Sequence, residues 1–372
     1  MKMMLRTKPA ITILSVILLC ASVLLAQTRQ EIRIPDILGY KTLKCDFHVH
    51  TVFSDGLVWP TVRVDEAWRE GLDAISITDH IEYQPHKDDV PVNLNRSYDI
   101  ALPWAKERGI LLVKGAEFTR ETPPGHFNAL FIEDVKPLDT KELLDGMAEA
   151  GKQGAFIFWN HPGWQPEHKG WFDFHTTIYE KKYLQGIEVV NGEDYYPEAH
   201  QWALEKNLTF LGNTDLHDAV PLQKTTSESH RPMTFVFVKD RSIGGLKEAL
   251  VSGRTAVWYG SKVIARQEYL EALFGAAVRI TDVQYEKKII RFALYNSSDL
   301  PIQLLRAGKA GPKELSLPAN ATVRVRIDAE SVEKPMELPY VASNFLVGPD
   351  KGLPVSLIVA GQPTVDAKTE TK

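Results

Sequence analysis

The chain has 372 residues, 44% of them hydrophobic and 24% charged, with a formal net charge of −5. That balance leaves room for more than one core and excludes a wholly disordered or collagen-like chain. Two cysteines are too few for a disulfide framework, so stability rests on burial.

The first segment has the pattern of an export signal. Lys2, Arg6 and Lys8 precede an uncharged apolar run from Ala10 to Leu25, and polar sequence opens after Ala26. The run is short for a membrane-spanning helix, and Leu19 before Cys20 does not suit lipid attachment. Residues 1–26 therefore read as a cleaved signal peptide, and the mature protein as periplasmic or secreted with no membrane contact. Cleavage takes away three positive and no negative charges, which makes the surface more acidic and argues against long nucleic acids as partners. It also leaves Cys45 alone, with no intramolecular disulfide to make.

From Leu43 to Tyr259 short apolar runs alternate with amphipathic segments, the rhythm of β-α units around a parallel sheet. Strands are predicted at Leu43–His50, Ala74–Thr78, Ile110–Glu117, Phe127–Ile132, Ala155–Trp159, Gly186–Val190, Leu208–Gly212 and Thr234–Val238. Helices are predicted at Val62–Glu70, Ser97–Arg108 and Asp139–Ala150, each followed by a glycine that can close it. Eight strand-like runs in this span suggest a barrel rather than an open sheet. After Ser261 the texture changes. A helix-like stretch at Arg266–Ala277 leads to alternating runs at Val278–Val283, Lys288–Tyr295, Thr322–Ile327 and Val355–Val359, a small β-rich domain without histidine. The expected domains are thus 27–262 and 263–363, with a solvated tail at 364–372.

Residues able to bind metal recur at the ends of these strands. His48 and His50 are one residue apart at the end of the first, so the period of two puts both imidazoles on one face. Such a pair is weak evidence alone. Asp55 follows in a Ser-Asp-Gly turn, and His80 ends the run Thr78-Asp79-His80. Glu117 closes the third strand, His126 stands in Gly125-His126-Phe127, His161 in Asn160-His161-Pro162-Gly163, and Asp215 and His217 in Thr214-Asp215-Leu216-His217. Parallel barrels assemble active sites at such strand ends. Mixed imidazole and carboxylate donors suit Mn²⁺, Zn²⁺ or Fe²⁺ better than the all-oxygen preference of Mg²⁺ or Ca²⁺.

In this order the motifs resemble the PHP (polymerase and histidinol phosphatase) superfamily, over roughly residues 43–260. The resemblance implies an α/β fold, a distorted (β/α)7 TIM-like barrel, holding two or three divalent ions with a bridging carboxylate. Carried over by position, His48, His50, Glu117 and Asp215 would hold one ion. Glu117 would bridge to a second, held also by His126 and His161, and Asp55, His80 and His217 would hold a third. Many three-ion members have His where this chain has Asp55, a departure that bears on the third ion alone. Glu117, Asp215, His217 and His80 are the residues expected to carry catalysis.

The block from Ile34-Pro35-Asp36 through Lys44-Cys45-Asp46-Phe47-His48 to Thr78-Asp79-His80-Ile81-Glu82-Tyr83 is similar to secreted bacterial phosphodiesterases of this superfamily. The implied reaction is attack of a hydroxide held between the ions on a small phosphodiester, giving a phosphomonoester and an alcohol. Rival readings are a phosphomonoesterase of histidinol-phosphatase type, a nuclease, a hydrolase of carbamate-like esters, and a non-catalytic metal-binding module. Arg120, His230 and Arg231 are candidates for phosphoryl oxygens, since Arg offers a bidentate fork. Asp79 reads as orienting a ligand imidazole or capping its strand, and Glu188 as structural. His86, His168, His175 and His200 read as surface residues. Trp159, Trp164, Trp171, Phe172 and Phe174 suggest a loop over the barrel mouth that either walls an organic ester group or packs onto the barrel. Oligomeric state is left open, a homo-oligomer included.

Overall fold

The structure, a computed structural model, describes residues 28–165, 167, 169–221, 226, 229–329 and 331–362. The expected signal peptide and tail lie outside them, as does His168. Among the described residues no helix is long and apolar enough to cross a membrane.

The first strand, β1 (Lys41–Val49), is buried almost throughout, as a central barrel strand is when both faces are covered. The chain continues through α1 (Pro60–Arg69), β2 (Ala74–Ile77), α2 (Arg96–Arg108), β3 (Leu111–Phe118), β4 (Phe127–Leu130), α3 (Leu143–Lys152) and β5 (Phe156–Trp159). Then come α4 (Asp173–Glu180), β6 (Leu184–Asn191), the short β7 (Asp194–Tyr195), α5 (Pro197–Glu205), β8 (Thr209–Asn213), β9 (Met233–Val238), α6 (Ile243–Val251), β10 (Thr255–Tyr259) and β11 (Lys262–Ala265). Local chemistry sets several boundaries. Pro60 opens α1 where its missing N–H costs nothing, Gly109 ends α2 with φ 68°, and Ser242 caps α6 by accepting from the Gly245 N–H at 2.9 Å.

Strands β9, β1, β2, β3, β4, β5, β6 and β8 follow one another around a barrel wall, so each of the eight expected barrel strands has its counterpart. The sheet is not parallel throughout, as the β-α rhythm suggested. β4 runs antiparallel to β3 and β5, and β9 antiparallel to β1. The wall closes where β8 meets β9 and β10. Thr234 Oγ1 bonds both the N–H and the carbonyl of Gly212, and a Cβ at Gly212 would stand 2.2 Å from Val257 Cγ1. Only glycine permits that approach.

The C-terminal part begins with α7 (Gln267–Ala277) and continues as β12 (Val278–Glu286), β13 (Ile289–Asn296), β14 (Ile302–Arg306), β15 (Glu314–Leu317), β16 (Thr322–Asp328), β17 (Met336–Gly348) and β18 (Lys351–Val359). β12, β13 and β16 form one sheet, while β14, β15, β17 and β18 join the barrel sheet through the parallel pair β11–β17. The expected barrel with a small β-rich unit is the observed architecture, but one continuous sheet runs through both.

His175 and His200 are fully buried rather than on the surface. His175 stacks on Trp159 at 3.8 Å; its Nδ1 accepts from the Phe172 N–H and its Nε2 donates to the Pro124 carbonyl, a pattern that requires a neutral ring. His200 meets the Tyr195 hydroxyl through Nδ1 and the Phe210 ring edge-on. Burial pushes both imidazoles down to about 4, from 6.5. The unfolded chain takes up these protons near 6.5 and the folded one near 4, so stability is whole above that window and falls as pH drops through it. Comparing His200→Gln with wild type in metal-free urea unfolding, the wild type should lose up to about 3 kcal/mol relative to the variant between neutral pH and the bottom of the window. Parallel pH dependence in the two proteins would show that His200 is not held neutral.

Candidate metal centre

The barrel brings the candidate ligands from six strand ends to one mouth. His48 lies in β1, and His50 just beyond it; Glu117 lies in β3. His80 follows β2, His161 follows β5, and Asp215 and His217 follow β8. His126 precedes β4, because an antiparallel strand presents its beginning to the mouth. Two of these positions are held in left-handed backbone, His161 with φ 28° and Asp215 with φ 56°. Such conformations cost non-glycine residues about 1 kcal/mol or more and gather at functional sites. They are pinned here: the Asp215 N–H donates to the His48 carbonyl at 2.8 Å and the His161 N–H to Glu188 at 2.8 Å.

Glu117, fully buried, sits at the centre. Its Oε2 is 3.2 Å from His48 Nε2, 3.2 Å from His50 Nε2 and 3.1 Å from His80 Nδ1. Its Oε1 is 2.9 Å from His126 Nδ1, 3.8 Å from His161 Nε2, and accepts from Asn160 Nδ2 at 2.8 Å. Asp215 Oδ1 lies 3.1 Å from His48 Nε2 and 2.9 Å from His50 Nε2, and Asp215 Oδ2 is 3.8 Å from His161. A third group adjoins these, with Asp55 Oδ1 3.1 Å from His217 Nε2, 3.4 Å from His80 Nε2 and 3.8 Å from His50 Nδ1.

The donors fit small divalent cations. His48 Nε2 and His50 Nε2 stand 3.1 Å apart, and each lies 2.9 to 3.2 Å from Glu117 Oε2 and from Asp215 Oδ1. The edges of a tetrahedral shell with bonds of 2.0 to 2.1 Å are about 3.3 Å. Asp55 Oδ1 is buried without accepting a hydrogen bond, though imidazoles surround it. Burial alone would raise the Glu117 carboxyl, but His80 and His48 outweigh it and hold it well below its usual range. Burial likewise opposes ionisation of Asp215, and His48 and His50 hold it low. Both are therefore anions at neutral pH, with their charge directed at nitrogens that cations can share.

Neighbours fix which nitrogen His48 and His217 present. His48 Nδ1 donates to Glu188 Oε1 at 3.0 Å, and His217 Nδ1 to the Asp215 carbonyl at 2.8 Å, which leaves each Nε2 as an acceptor facing the cluster. Asp79 accepts from the Thr51 N–H and from Ser54 Oγ, and Ser54 Oγ lies 3.3 Å from His50 Nδ1, so Asp79 reaches that imidazole through a hydroxyl.

An Ig-like domain family matches residues 278–358, the C-terminal strands. No curated protein matches the chain. A crystal structure from Bacteroides vulgatus ATCC 8482, of a two-domain protein containing a predicted PHP-like metal-dependent phosphoesterase, is 46% identical; the match covers 90% of this chain and 100% of that one, with a TM-score of 0.86. The chain belongs to the PHP-like metal-dependent phosphoesterases. More distant are an amidohydrolase from Chromobacterium violaceum (17% identical, 47% of this chain and 87% of that one, TM-score 0.35) and a lesion-specific endonuclease from Pyrococcus furiosus (14%, 65% and 62%, TM-score 0.38). At those scores neither bears on what this PHP-like chain does.

The PHP-like centre opens into a cleft of about 280 Å³ whose wall includes Asp55, His80, His217, Tyr83, Thr119 and Trp164. Three residues expected to meet substrate are not there. Arg231 is buried in an ion pair with Asp46 at 3.0 Å and Glu70 at 2.6 Å. His230 is stacked on Trp258 and bonded to the Gly260 carbonyl. Arg120 is paired with Glu82 and with the Thr140 carbonyl. None of the three lines the cleft. Of the aromatic residues near His161, Trp159 and Trp171 pack with Trp202 against the barrel, whereas Trp164 is 56% exposed at the cleft.

Sequence reasoning missed two buried residues that serve the PHP-like centre. Glu188 read as structural, yet it holds His48 and the His161 N–H. Asn160, beside His161 in the sequence, donates to Glu117 and was not singled out. For Asn160 the Asn-His-Pro-Gly run was the available signal; for Glu188 the signal was a carboxylate inside the largely apolar strand β6.

Proposed function

We propose that the protein hydrolyses phosphate diesters, using divalent cations held by His48, His50, Glu117 and Asp215, by Glu117 with His126 and His161, and by Asp55, His80 and His217. Such ions, when bound, lower the pKa of water and draw charge from phosphoryl oxygens. The chain's own part is to hold the carboxylates anionic in a buried cluster, to turn the imidazole nitrogens inward through Glu188 and the Asp215 carbonyl, and to narrow the cleft around the ester.

The observation that carries the diester reading is that, among the described residues, the wall of the cleft holds no Lys or Arg. A phosphomonoester brings two negative charges near neutrality and a diester one, so a cleft without cationic side chains suits the diester better. Trp164 and Tyr83, 56% and 50% exposed, supply apolar surface for an organic substituent. Export to the periplasm or beyond, on the strength of the leading segment, belongs to the same proposal, as do small phosphate esters rather than long nucleic acids as partners.

Protein reconstituted with Mn²⁺, Zn²⁺ or Fe²⁺ should turn over a chromogenic diester at least about tenfold faster in kcat/KM than the matched monoester, a difference of roughly 1.4 kcal/mol in transition-state stabilisation. Faster monoester turnover would overturn the diester reading. Inactivity on every ester under all three metals would favour a binding module.

A further inference from the structure

Arg63 is a buried cation for which hydrolysis gives no direct use. It projects from α1 and is 2% exposed. Its Nε donates to the His50 carbonyl at 2.8 Å; Nη1 donates to the Asp218 carbonyl and to Glu66 Oε2, both at 2.8 Å; Nη2 donates to the carbonyls of Leu216 at 2.9 Å and His217 at 2.7 Å. A guanidinium has five N–H donors in a fixed plane. All are used within the protein.

The acceptors explain why a cation stands there. Three consecutive carbonyls, from Leu216 to Asp218, converge on one point, just after Asp215 turns the chain with φ 56°. Converging carbonyl dipoles leave a buried negative potential that only a cation offsets. Two of these oxygens take a second bond: Leu216 from the His50 N–H and His217 from the Leu57 N–H, each at 2.9 Å. The loop carrying His50 and Asp55 is thus laced to the loop carrying Asp215 and His217, with Arg63 bonded to both. Glu66 steadies the guanidinium with one oxygen and takes the Val220 N–H at 2.8 Å with the other.

These two loops supply two of the three outer ligands, Asp55 and His217, and also His50 and Asp215 of the inner set, whose remaining ligands His48, Glu117, His126 and His161 lie on or beside β1, β3, β4 and β5 and make no bond to Arg63. We propose that Arg63 is the positioning residue for the outer cation set, Asp55 with His80 and His217, and that without its planar fork the outer ion, which takes most of its ligands from these loops, is lost before the inner pair anchored on His48, Glu117, His126 and His161. The proposal rests on the cation reading of the cluster. Lysine at this place keeps the buried charge but puts its donors on one atom, which cannot span four carbonyls.

The test is a Mn²⁺ titration of wild type, Arg63→Lys and Arg63→Met, with free ion counted by electron paramagnetic resonance and folding checked by circular dichroism. Wild type should take up three ions and both variants two, or three with the weakest bound about tenfold or more weaker than in wild type. Should Arg63→Met not fold, Arg63→Lys and Glu66→Gln, which frees one donor, still decide the matter. Three ions at wild-type affinity in folded Arg63→Lys would overturn the role given to Arg63. Two ions in the wild type would remove the outer site itself, a separate failure of the cation reading.

Discussion

Glu117→Gln is expected to release both inner ions and to lower kcat/KM on any phosphate ester by roughly a thousandfold, the order seen when a group that stabilises transition-state charge is removed. The substitution hardly changes shape, so what it tests is charge. Glu117 is fully buried, and its two oxygens face five imidazoles between them. An amide supplies one oxygen and turns an N–H₂ toward nitrogens that present lone pairs to a cation. It also takes away the negative charge that lets two cations lie close together. Ion content and kcat/KM, measured on the same folded preparation, check this. Retention of both ions with undiminished turnover would show that Glu117 does not bridge.

The cluster could be read in sequence because a barrel turns a spatial grouping into a repeated sequence position: the end of each strand. His48, His80, Glu117, His161 and Asp215 each close an apolar run, and that recurrence carried more information than any single motif. Strand direction left no such trace. Phe127–Leu130 and Met233–Val238 are apolar runs like their neighbours, and nothing in them says that they run antiparallel. β17 was missed because Pro339 and the polar Ser343-Asn344 interrupt its alternation, although its partners β14 and β18 keep it extended. Arg231 seemed free because its partner Asp46 lies 185 positions away. His175 and His200 failed for the same reason, since the aromatic rings that bury them come from other elements.

Glu188→Gln should cost about ten- to a hundredfold in metal affinity, with activity falling in step, the usual effect of removing a group that orients a ligand imidazole. The four donors around Glu188 make the argument. Oε1 accepts from His48 Nδ1 at 3.0 Å and Asn213 Nδ2 at 2.9 Å, and Oε2 from the His161 N–H at 2.8 Å and Asn191 Nδ2 at 2.9 Å. A glutamine satisfies only one of these pairs and sets its own N–H₂ against donors in the other, whichever way it turns. If the amide faces His48, the imidazole loses the carboxylate that keeps its proton on Nδ1, and Nε2 then competes as a donor where a lone pair is needed. If it faces the other way, the left-handed backbone of His161 loses its tether. A positioning role is distinguished from general damage by the metal dependence: the half-saturating Mn²⁺ concentration should rise while kcat at saturating Mn²⁺ recovers most of its wild-type value. A folded variant with unchanged Mn²⁺ dependence would mean that His48 needs no help from Glu188, and that this carboxylate is structural, as the sequence alone suggested.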